Sequence, residues 1–176
     1  MRHLLALALA VLVAAPALAQ DKPAAKAPTA VMTLENGGVI TFEFFPADAP
    51  KHVENFLKLA REGFYDGQRF HRVEPGFVVQ IGDPQSKTLP MNAPGMGTGG
   101  PGYTIKAEFN KRPFERGVLG MARKSDPDSA GSQIYIMLGA APHLNGQYTA
   151  FGRVVSGMDV VDKIKVGDRV KTIKVN

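Results

Sequence analysis

The chain has 176 residues, a formal net charge of +5 and no cysteine. This length suffices to bury the core of one domain, and the absence of cysteine excludes disulfide bonds, thiol nucleophiles and cysteine-ligated zinc. The modest basic excess is spread along the chain, which predicts a solvated surface without a nucleic-acid-binding site.

The first residues are typical of a secretory signal peptide. Arg2 makes the start of the chain positive, residues 4–15 are an unbroken apolar run, and Ala17 and Ala19 have the spacing of small residues at a cleavage site. The apolar run is shorter than the roughly 20 residues that cross a bilayer core. We therefore expect residues 1–19 to be cleaved after Ala19, leaving a periplasmic or secreted protein that has no membrane association.

Residues 20–30 are rich in Ala, Pro and Lys, a composition that predicts a flexible linker. No second long apolar segment follows this linker. The folded domain is therefore expected to comprise residues 31–176.

Residues 31–44 predict a β-hairpin. Apolar and polar residues alternate on both sides of Asn36-Gly37-Gly38, which tolerates the positive φ angles of a tight hairpin turn. Because side chains alternate between the two faces of a strand, the apolar ones should share a buried face. They are Met32, Leu34, Ile40, Phe42 and Phe44.

Residues 46–64 change to the three- and four-residue spacing of an amphipathic helix. Asp48 is predicted to cap the first turn, which Pro50 suits, and Gly63 is predicted to end the helix. His52 falls on the polar side, so we expect it at the surface. The apolar stripe consists of Val53, Phe56, Leu57 and Ala60.

Beyond this helix, short apolar segments alternate with loops rich in glycine and proline, the longest of which spans residues 90–102. A sequence like a capping box at residues 156–159 predicts a second, short helix through Ile164. Many short strands with only two helices favour a mainly β domain, either a barrel or a sandwich, with helical caps. The later strands are expected at residues 117–121, 133–138, 148–155 and 170–175.

Weaker patterns predict no site. Residues 95–100 have the glycine spacing of a dinucleotide-binding loop, but Pro94 and Pro101 flank them where a strand and a helix are required. Residues 126–128 lack the other ligands of a calcium loop and predict a solvated turn. The histidines do not have the spacing of metal ligands, and we expect no metal at the site.

Three segments carry a specific combination of residues. Residues 70–83 contain Phe-His-Arg followed by Pro-Gly-Phe and Gln, residues 131–136 begin with Gly-Ser-Gln, and residues 144–154 end with Ala-Phe-Gly-Arg-Val. In this order they resemble the cyclophilins, and the resemblance extends from about Val31 to the C-terminus. It implies a closed eight-stranded antiparallel β-barrel capped by two α-helices.

The resemblance also implies peptidyl-prolyl cis-trans isomerase activity, without a cofactor. The substrates would be proline-containing segments of unfolded or folding exported proteins, and the enzyme is expected to be a monomer. No nucleic-acid partner is expected.

Isomerisation of an X–Pro bond needs no nucleophile. Rotation about the amide costs about 18–20 kcal/mol because the bond has partial double-bond character. A hydrogen bond donated to the prolyl nitrogen favours the twisted state, in which the nitrogen lone pair is localised. A guanidinium suits this task because it stays charged and has a rigid set of donors. The resemblance assigns the role to Arg72, with Phe77 and Gln80 as the other catalytic positions.

The resemblance further implies a substrate cleft beside this arginine. Phe77, Tyr135 and Leu144 match the apolar socket for the proline ring. Neighbouring side chains of a strand point to opposite faces, so His71 is expected to point away from Arg72 and to have a structural role. The substrate-binding positions are Val78, Ala122, Arg123, Gln133, Tyr135, His143, Leu144 and Tyr148.

Several of these positions differ from the best-known eukaryotic pattern of the family. Arg123, His143 and Tyr148 occupy positions where Asn, Trp and His, respectively, are usual. Tyr135 replaces Phe, and Val78 replaces Met. Loss of the Trp removes an indole N–H donor and a flat apolar surface, which predicts weak inhibition by cyclosporin, the family's cyclic-peptide inhibitor.

Two other functions fit parts of this pattern. The same cleft could serve a proline-peptide binding module or chaperone in which turnover is incidental. A β-barrel that carries small ligands is a further alternative, although such a barrel has no need of the Phe-His-Arg segment. Arg72 favours the enzyme, because capture of proline alone does not require a donor aimed at the prolyl nitrogen.

Overall fold

The computed structural model describes residues 27–176, so the predicted signal peptide and most of the predicted linker lie outside the described residues. The first strand begins at Thr29, slightly before the predicted start of the domain. In chain order the elements are β1 (Thr29–Leu34), β2 (Val39–Phe44), α1 (Pro50–Arg61), β3 (Arg72–Glu74), β4 (Val78–Ile81), β5 (Val118–Met121), β6 (Ile134–Met137), β7 (Ala150–Ser156), α2 (Met158–Val161) and β8 (Val170–Val175). Short 3-10 helices lie at Pro84–Lys87, Pro127–Ser129 and Pro142–Leu144.

The eight strands form one antiparallel sheet in the order β3-β4-β6-β5-β7-β2-β1-β8. The mainly β fold with two α-helices is confirmed, but the closed barrel is wrong, because the edge strands β3 and β8 do not pair with each other. The segments before them meet through an isolated bridge between Arg69 and Arg169. Backbone hydrogen bonds beside this bridge also join residues 67–70 to residues 167–170, but they stop before β3, where residues 165–168 form a turn closed by a hydrogen bond from the Asp168 N–H to the Lys165 carbonyl (3.0 Å). The sheet is therefore a curled half-barrel.

The main hydrophobic core lies between the curled sheet and helix α1. The alternating apolar residues predicted for the hairpin are buried, as are the predicted stripe residues of the helix. Phe56 of α1 contacts a group of aromatic rings with centroid distances between 5.1 and 6.3 Å: Phe42, Phe44, Tyr65 and Phe151. Each such ring removes roughly 150–250 Å² of surface from water, which stabilises the core.

Helix α1 is shorter than predicted and is capped differently. It begins after Ala49, and Asp48 does not cap it; instead Asp48 forms an ion pair with Arg112 (2.8 Å). The free N–H groups of the first turn donate to a carboxylate from a distant loop, since Glu108 accepts from the backbone N–H of Lys51 (3.1 Å) and of His52 (3.0 Å).

The same loop explains why the prediction of an exposed His52 is wrong. Glu108 Oε2 lies 2.8 Å from His52 Nδ1, and the His52 side chain is wholly buried. The helical periodicity placed His52 on the polar face, but the loop around Glu108 covers that face. Burial lowers the pKa of His52, although the neighbouring carboxylate acts in the opposite direction.

Helix α2 also begins without the predicted capping box. Its N-cap is Gly157, with a left-handed φ of 91°, and no side chain caps it. A Cβ atom at Gly157 would overlap the carbonyl oxygen of Val39, so glycine is required here for space as well as for conformation. Strand β8 has the predicted bounds, and β5 and β6 lie within theirs. No helix within residues 27–176 is both long enough and apolar enough to cross a membrane.

Candidate active site

A cavity of about 530 Å³ opens on the outer face of β3, β4 and β6. All the predicted site residues except Gln133 line it. Gln147 also lines it and was not predicted. The complete lining is Arg72, Phe77, Val78, Gln80, Ala122, Arg123, Tyr135, His143, Leu144, Gln147 and Tyr148.

The register of the sheet places the central residues of this site side by side on neighbouring strands. Arg72 of β3 pairs with Gln80 of β4, Gln80 pairs with Tyr135 of β6, and Tyr135 pairs with Gly120 of β5. Residues that pair directly across antiparallel strands point to the same face. Four neighbouring strands thus place a guanidinium, an amide, an aromatic ring and a glycine in one row.

The glycine in this row makes room for the ring beside it. A Cβ atom at Gly120 would overlap the ring of Tyr135. The Tyr135 ring therefore lies against β5 in the space that a side chain at position 120 would occupy. No motif in the sequence pointed to Gly120, because the requirement comes from a side chain on another strand.

The floor of the cavity belongs to a second, smaller hydrophobic core. Phe114 is buried behind Tyr135, with ring centroids 6.0 Å apart, and was not predicted as part of the site. The other buried members are Val78, Met137, Ala141, Leu144 and Ala150. An apolar floor of this kind suits a proline ring, which has no polar group to satisfy.

Arg72 lies at one wall, with its side chain 45% exposed. Nη1 donates to Gln80 Oε1 (3.2 Å), and the guanidinium carbon is 5.8 Å from the centroid of the Phe77 ring. Nε lies 3.5 Å from Glu74. The guanidinium is thus held beside the Phe77 ring. Only Nη1 donates to Gln80, so other N–H groups of the guanidinium are not used in that bond.

Gln133 lies behind this wall and does not line the cavity. Its Oε1 accepts from Gln80 Nε2 (2.9 Å), and its Nε2 donates to the carbonyls of Gly97 (2.9 Å) and Gly99 (2.8 Å). It lines an adjoining cavity of about 320 Å³, which shares Gln80, Ala122 and Arg123 with the first. The predicted irregular loop, residues 90–102, thus supports the site through Gln133.

The matches to known proteins identify the family. Residues 29–176 match the family model described as "Cyclophilin type peptidyl-prolyl cis-trans isomerase/CLD". This chain belongs to the cyclophilin family. It is 50% identical over 146 residues to "Probable peptidyl-prolyl cis-trans isomerase" of Brucella abortus, covering 81% of this chain and 74% of the relative. It is 48% identical over 149 residues to peptidyl-prolyl cis-trans isomerase B of Bacillus subtilis, covering 84% and 97%.

A solved structure shows the same fold. A cyclophilin of Cryptosporidium parvum, determined in the presence of the dipeptide Ala-Pro, superposes with a TM-score of 0.72 at 29% identity and covers 84% of this chain and 98% of its own. Together with the curated relatives, this identifies our chain as a cyclophilin-type peptidyl-prolyl cis-trans isomerase, as its sequence predicts.

The rim of this cyclophilin contains three of the residues that depart from the eukaryotic pattern: Arg123, His143 and Tyr148. The guanidinium of Arg123 lies over the ring of Tyr148, 4.4 Å from its centroid, and donates to the main-chain carbonyl of Gln147 (3.0 Å). His143 stacks on Phe77 with centroids 5.9 Å apart. Gln147 thus contributes a main-chain acceptor, which explains why its side-chain type gave no signal in the sequence.

Two titratable groups near the cyclophilin site are buried without partners in the described part of the chain. His71 lies outside the cavity, close to Gly97, and neither ring nitrogen makes a hydrogen bond. Burial lowers the pKa of His71. The Tyr135 hydroxyl also has no partner, and burial raises the pKa of that phenol. Within residues 27–176, no cluster of three or more His, Asp or Glu side chains could hold a metal.

Proposed function

We propose that this cyclophilin lowers the barrier to X–Pro rotation by donating a hydrogen bond from Arg72 to the prolyl nitrogen. The proline ring would bind on Phe77, Tyr135 and Leu144. The observation that carries the proposal is the guanidinium held by Gln80 at the edge of a cavity that has an apolar floor. Gln133 would orient Gln80 from behind.

This arrangement favours the twisted amide over both planar isomers. In a planar amide the nitrogen lone pair is delocalised, so a donor gains little from facing it. In the twisted state the lone pair is localised, and the same donor makes a stronger bond. The effect is greater where a cavity excludes water, because the low local dielectric strengthens charge-assisted hydrogen bonds.

Removal of the guanidinium tests this mechanism. We expect Arg72→Ala to lower kcat/KM in a protease-coupled X–Pro assay by on the order of 100-fold, with each tenfold loss equal to about 1.4 kcal/mol of transition-state stabilisation. Binding of a proline peptide should survive, because the apolar floor is unchanged. Arg153→Ala is the matched control, since Arg153 is also an exposed strand arginine paired with a glutamate, Glu43, and does not line the cavity.

The assay also distinguishes the enzyme from a proline-peptide binding module. Turnover in Arg72→Ala equal to that of the parent would remove Arg72 from the mechanism. Absence of turnover in the parent, with peptide binding retained, would favour the binding module.

We further propose that the enzyme acts, as a monomer, on exported proteins in the periplasm or outside the cell. The support for export is the N-terminal sequence, with its positive start, apolar run and small residues at Ala17 and Ala19. Cell fractionation with N-terminal sequencing should find a protein beginning at Gln20 outside the cytoplasm. A cytoplasmic protein that retains Met1 would contradict the proposal.

A further inference from the structure

A buried carboxylate, Asp83, ties the loop behind the active site to strand β4. Asp83 follows this strand and is wholly buried. Its Oδ1 accepts from the Gln85 N–H (2.8 Å), and its Oδ2 accepts from the N–H groups of Gly97 (2.6 Å) and Gly99 (3.2 Å). The same two glycines present their carbonyls to Gln133. A single anion therefore holds the loop segment that contacts Gln133.

The hydrogen-bonding chemistry sets the direction of every bond from this loop to Arg72. Carbonyl oxygens only accept, so Gln133 must present its NH₂ group to the loop and its oxygen to Gln80. Gln80 must then present its own NH₂ group to Gln133, which leaves Gln80 Oε1 facing Arg72. The observed bonds all have this orientation.

We propose that Asp83 is a positioning residue for Arg72, acting through the loop, Gln133 and Gln80. Every donor in this chain points from the cation of Arg72 toward the anion of Asp83, and Asp83 fixes the two glycine carbonyls that Gln133 contacts because it binds the N–H groups of the same two glycines. The inference rests on the proposed role of Arg72 in proline isomerisation.

The opposite orientation of the Gln133 and Gln80 side-chain amides explains why Asp83 is needed. If the loop moved away, the Gln133 and Gln80 amides would be free to turn over. A reversed Gln80 would present NH₂ to a guanidinium, and both groups would then be donors. Arg72 would lose its acceptor and its fixed position beside Phe77, while the apolar floor of the cavity would be unchanged.

Asp83→Asn tests the inference with a nearly isosteric change. An Asn side chain has one acceptor oxygen and one NH₂ group, so it cannot accept both from Gln85 and from the two loop glycines. We expect kcat to fall roughly tenfold with peptide affinity unchanged within about twofold, because misplacing a catalytic group can cost up to about 100-fold in rate without touching the binding surface.

Asp168→Asn is the matched control. Asp168 also accepts a backbone N–H through its carboxylate, from Lys165 (2.9 Å), but lies in a turn away from the cavity. We expect it to keep the parent's kcat. Unchanged kcat in a folded Asp83→Asn would overturn the inference, whereas unchanged activity in a parallel Arg72→Ala would instead overturn the proposed role of Arg72.

A double-mutant cycle with Gln133→Ala separates positioning from general damage. If Asp83 acts through Gln133, Asp83→Asn should have little further effect on kcat in the Gln133→Ala background. Additive losses would overturn the inference.

If Asp83→Asn fails to fold, Gly99→Ala is the second variant, because it disturbs the contact between Asp83 and the loop from the loop side. A methyl group there would overlap both the Asp83 carboxylate and the Gln85 amide. We expect the same loss in kcat, and parent-like kcat would overturn the inference.

Discussion

At the scale of single residues, two buried tyrosines differ in how their hydroxyls are satisfied. Tyr65 donates to the Ser132 carbonyl at 3.0 Å and is wholly buried. Tyr135 is 5% exposed, and its hydroxyl has no partner within the described residues. Because a buried unpaired polar group costs free energy that a buried hydrogen bond does not, the two phenols should respond in opposite ways to removal of the oxygen.

Tyr135→Phe is therefore expected to raise the free energy of unfolding by about 1 kcal/mol, because it removes an unpaired polar atom. Tyr65→Phe, its matched control, should lower the free energy of unfolding by about 1 kcal/mol, because it leaves the Ser132 carbonyl without this donor. Denaturant titration measures both. A loss of stability in Tyr135→Phe comparable to that in Tyr65→Phe would show that the Tyr135 hydroxyl does have a partner.

Residues could be assigned to the site from the sequence only where they belong to a recognisable motif. Arg72, Phe77 and Gln80 lie in one continuous segment, and β3 and β4 bring that segment together through a local hairpin. Gly120, Phe114 and the main chain of Gln147 had no such motif. Their contributions arise from contacts with other strands and loops.

At the scale of elements, helix α1 shows how a distant side chain can replace a local cap. The carboxylate of Glu108 accepts from two N–H groups of the first turn and contacts His52 Nδ1. Burial by itself raises the pKa of Glu108, but the hydrogen bonds from the His52 N–H and ring, and from the Lys51 N–H, bring it below its usual value. The pKa of His52 is lowered by burial.

Both shifts predict that the protein loses stability in acid. For each group the pKa is lower in the folded state than in the unfolded state, so the unfolded state binds more protons as the pH falls. The free energy of unfolding should decline below about pH 6.5, the ordinary pKa of histidine, and decline further through the range in which Glu108 titrates. Thermal unfolding across this range measures the slope.

Glu108→Gln isolates the contribution of the carboxylate. We expect it to flatten the decline only in the range in which Glu108 itself titrates, below that of His52, because the amide cannot take up a proton there. Glu62→Gln, at an exposed glutamate just after the same helix, is the control and should keep the parent slope. If both variants followed the parent, Glu108 would not be a source of the pH dependence.

The strands and helices were predictable where apolar residues recur at a regular spacing, but the starts of the helices were not. The hairpin follows from alternation within a few residues, and the stripe of α1 from its three- and four-residue spacing. Strand β8 was also predicted with its observed bounds. The start of α1 was wrong because the sequence offered Asp48 as a local cap, whereas Glu108 approaches from a loop. The capping box at α2 failed because a left-handed Gly157 begins the helix.

At the scale of the whole molecule, two hydrophobic cores share one sheet. The larger one lies under α1, and the smaller one forms the floor of the active-site cavity. Phe56 belongs to the larger core and is wholly buried, in contact with four other aromatic rings. Since the cavity is built on the other core, global stability and turnover should be separable.

Phe56→Ala tests this separation. We expect the free energy of unfolding to fall by about 3–5 kcal/mol, the usual cost of the cavity left by a buried phenylalanine. Turnover per folded molecule should be unchanged at a temperature where the variant is folded. Phe109→Ala, at a phenylalanine that is 42% exposed, should change stability by less than about 0.5 kcal/mol. A loss of kcat in folded Phe56→Ala would show that the two cores are coupled.

The sequence by itself determined the family, the isomerase activity, and most strands and the main helix, because these depend on local motifs and on periods read within a few residues. The tertiary structure alone decided that the sheet stays open, since a turn at residues 165–168 stops the pairing beside the edge strands before it reaches β3. It also decided which distant groups meet, such as Glu108 with His52 and Asp83 with the loop that supports Gln133. Such contacts depend on the backbone path between residues far apart in the chain, which no local pattern specifies.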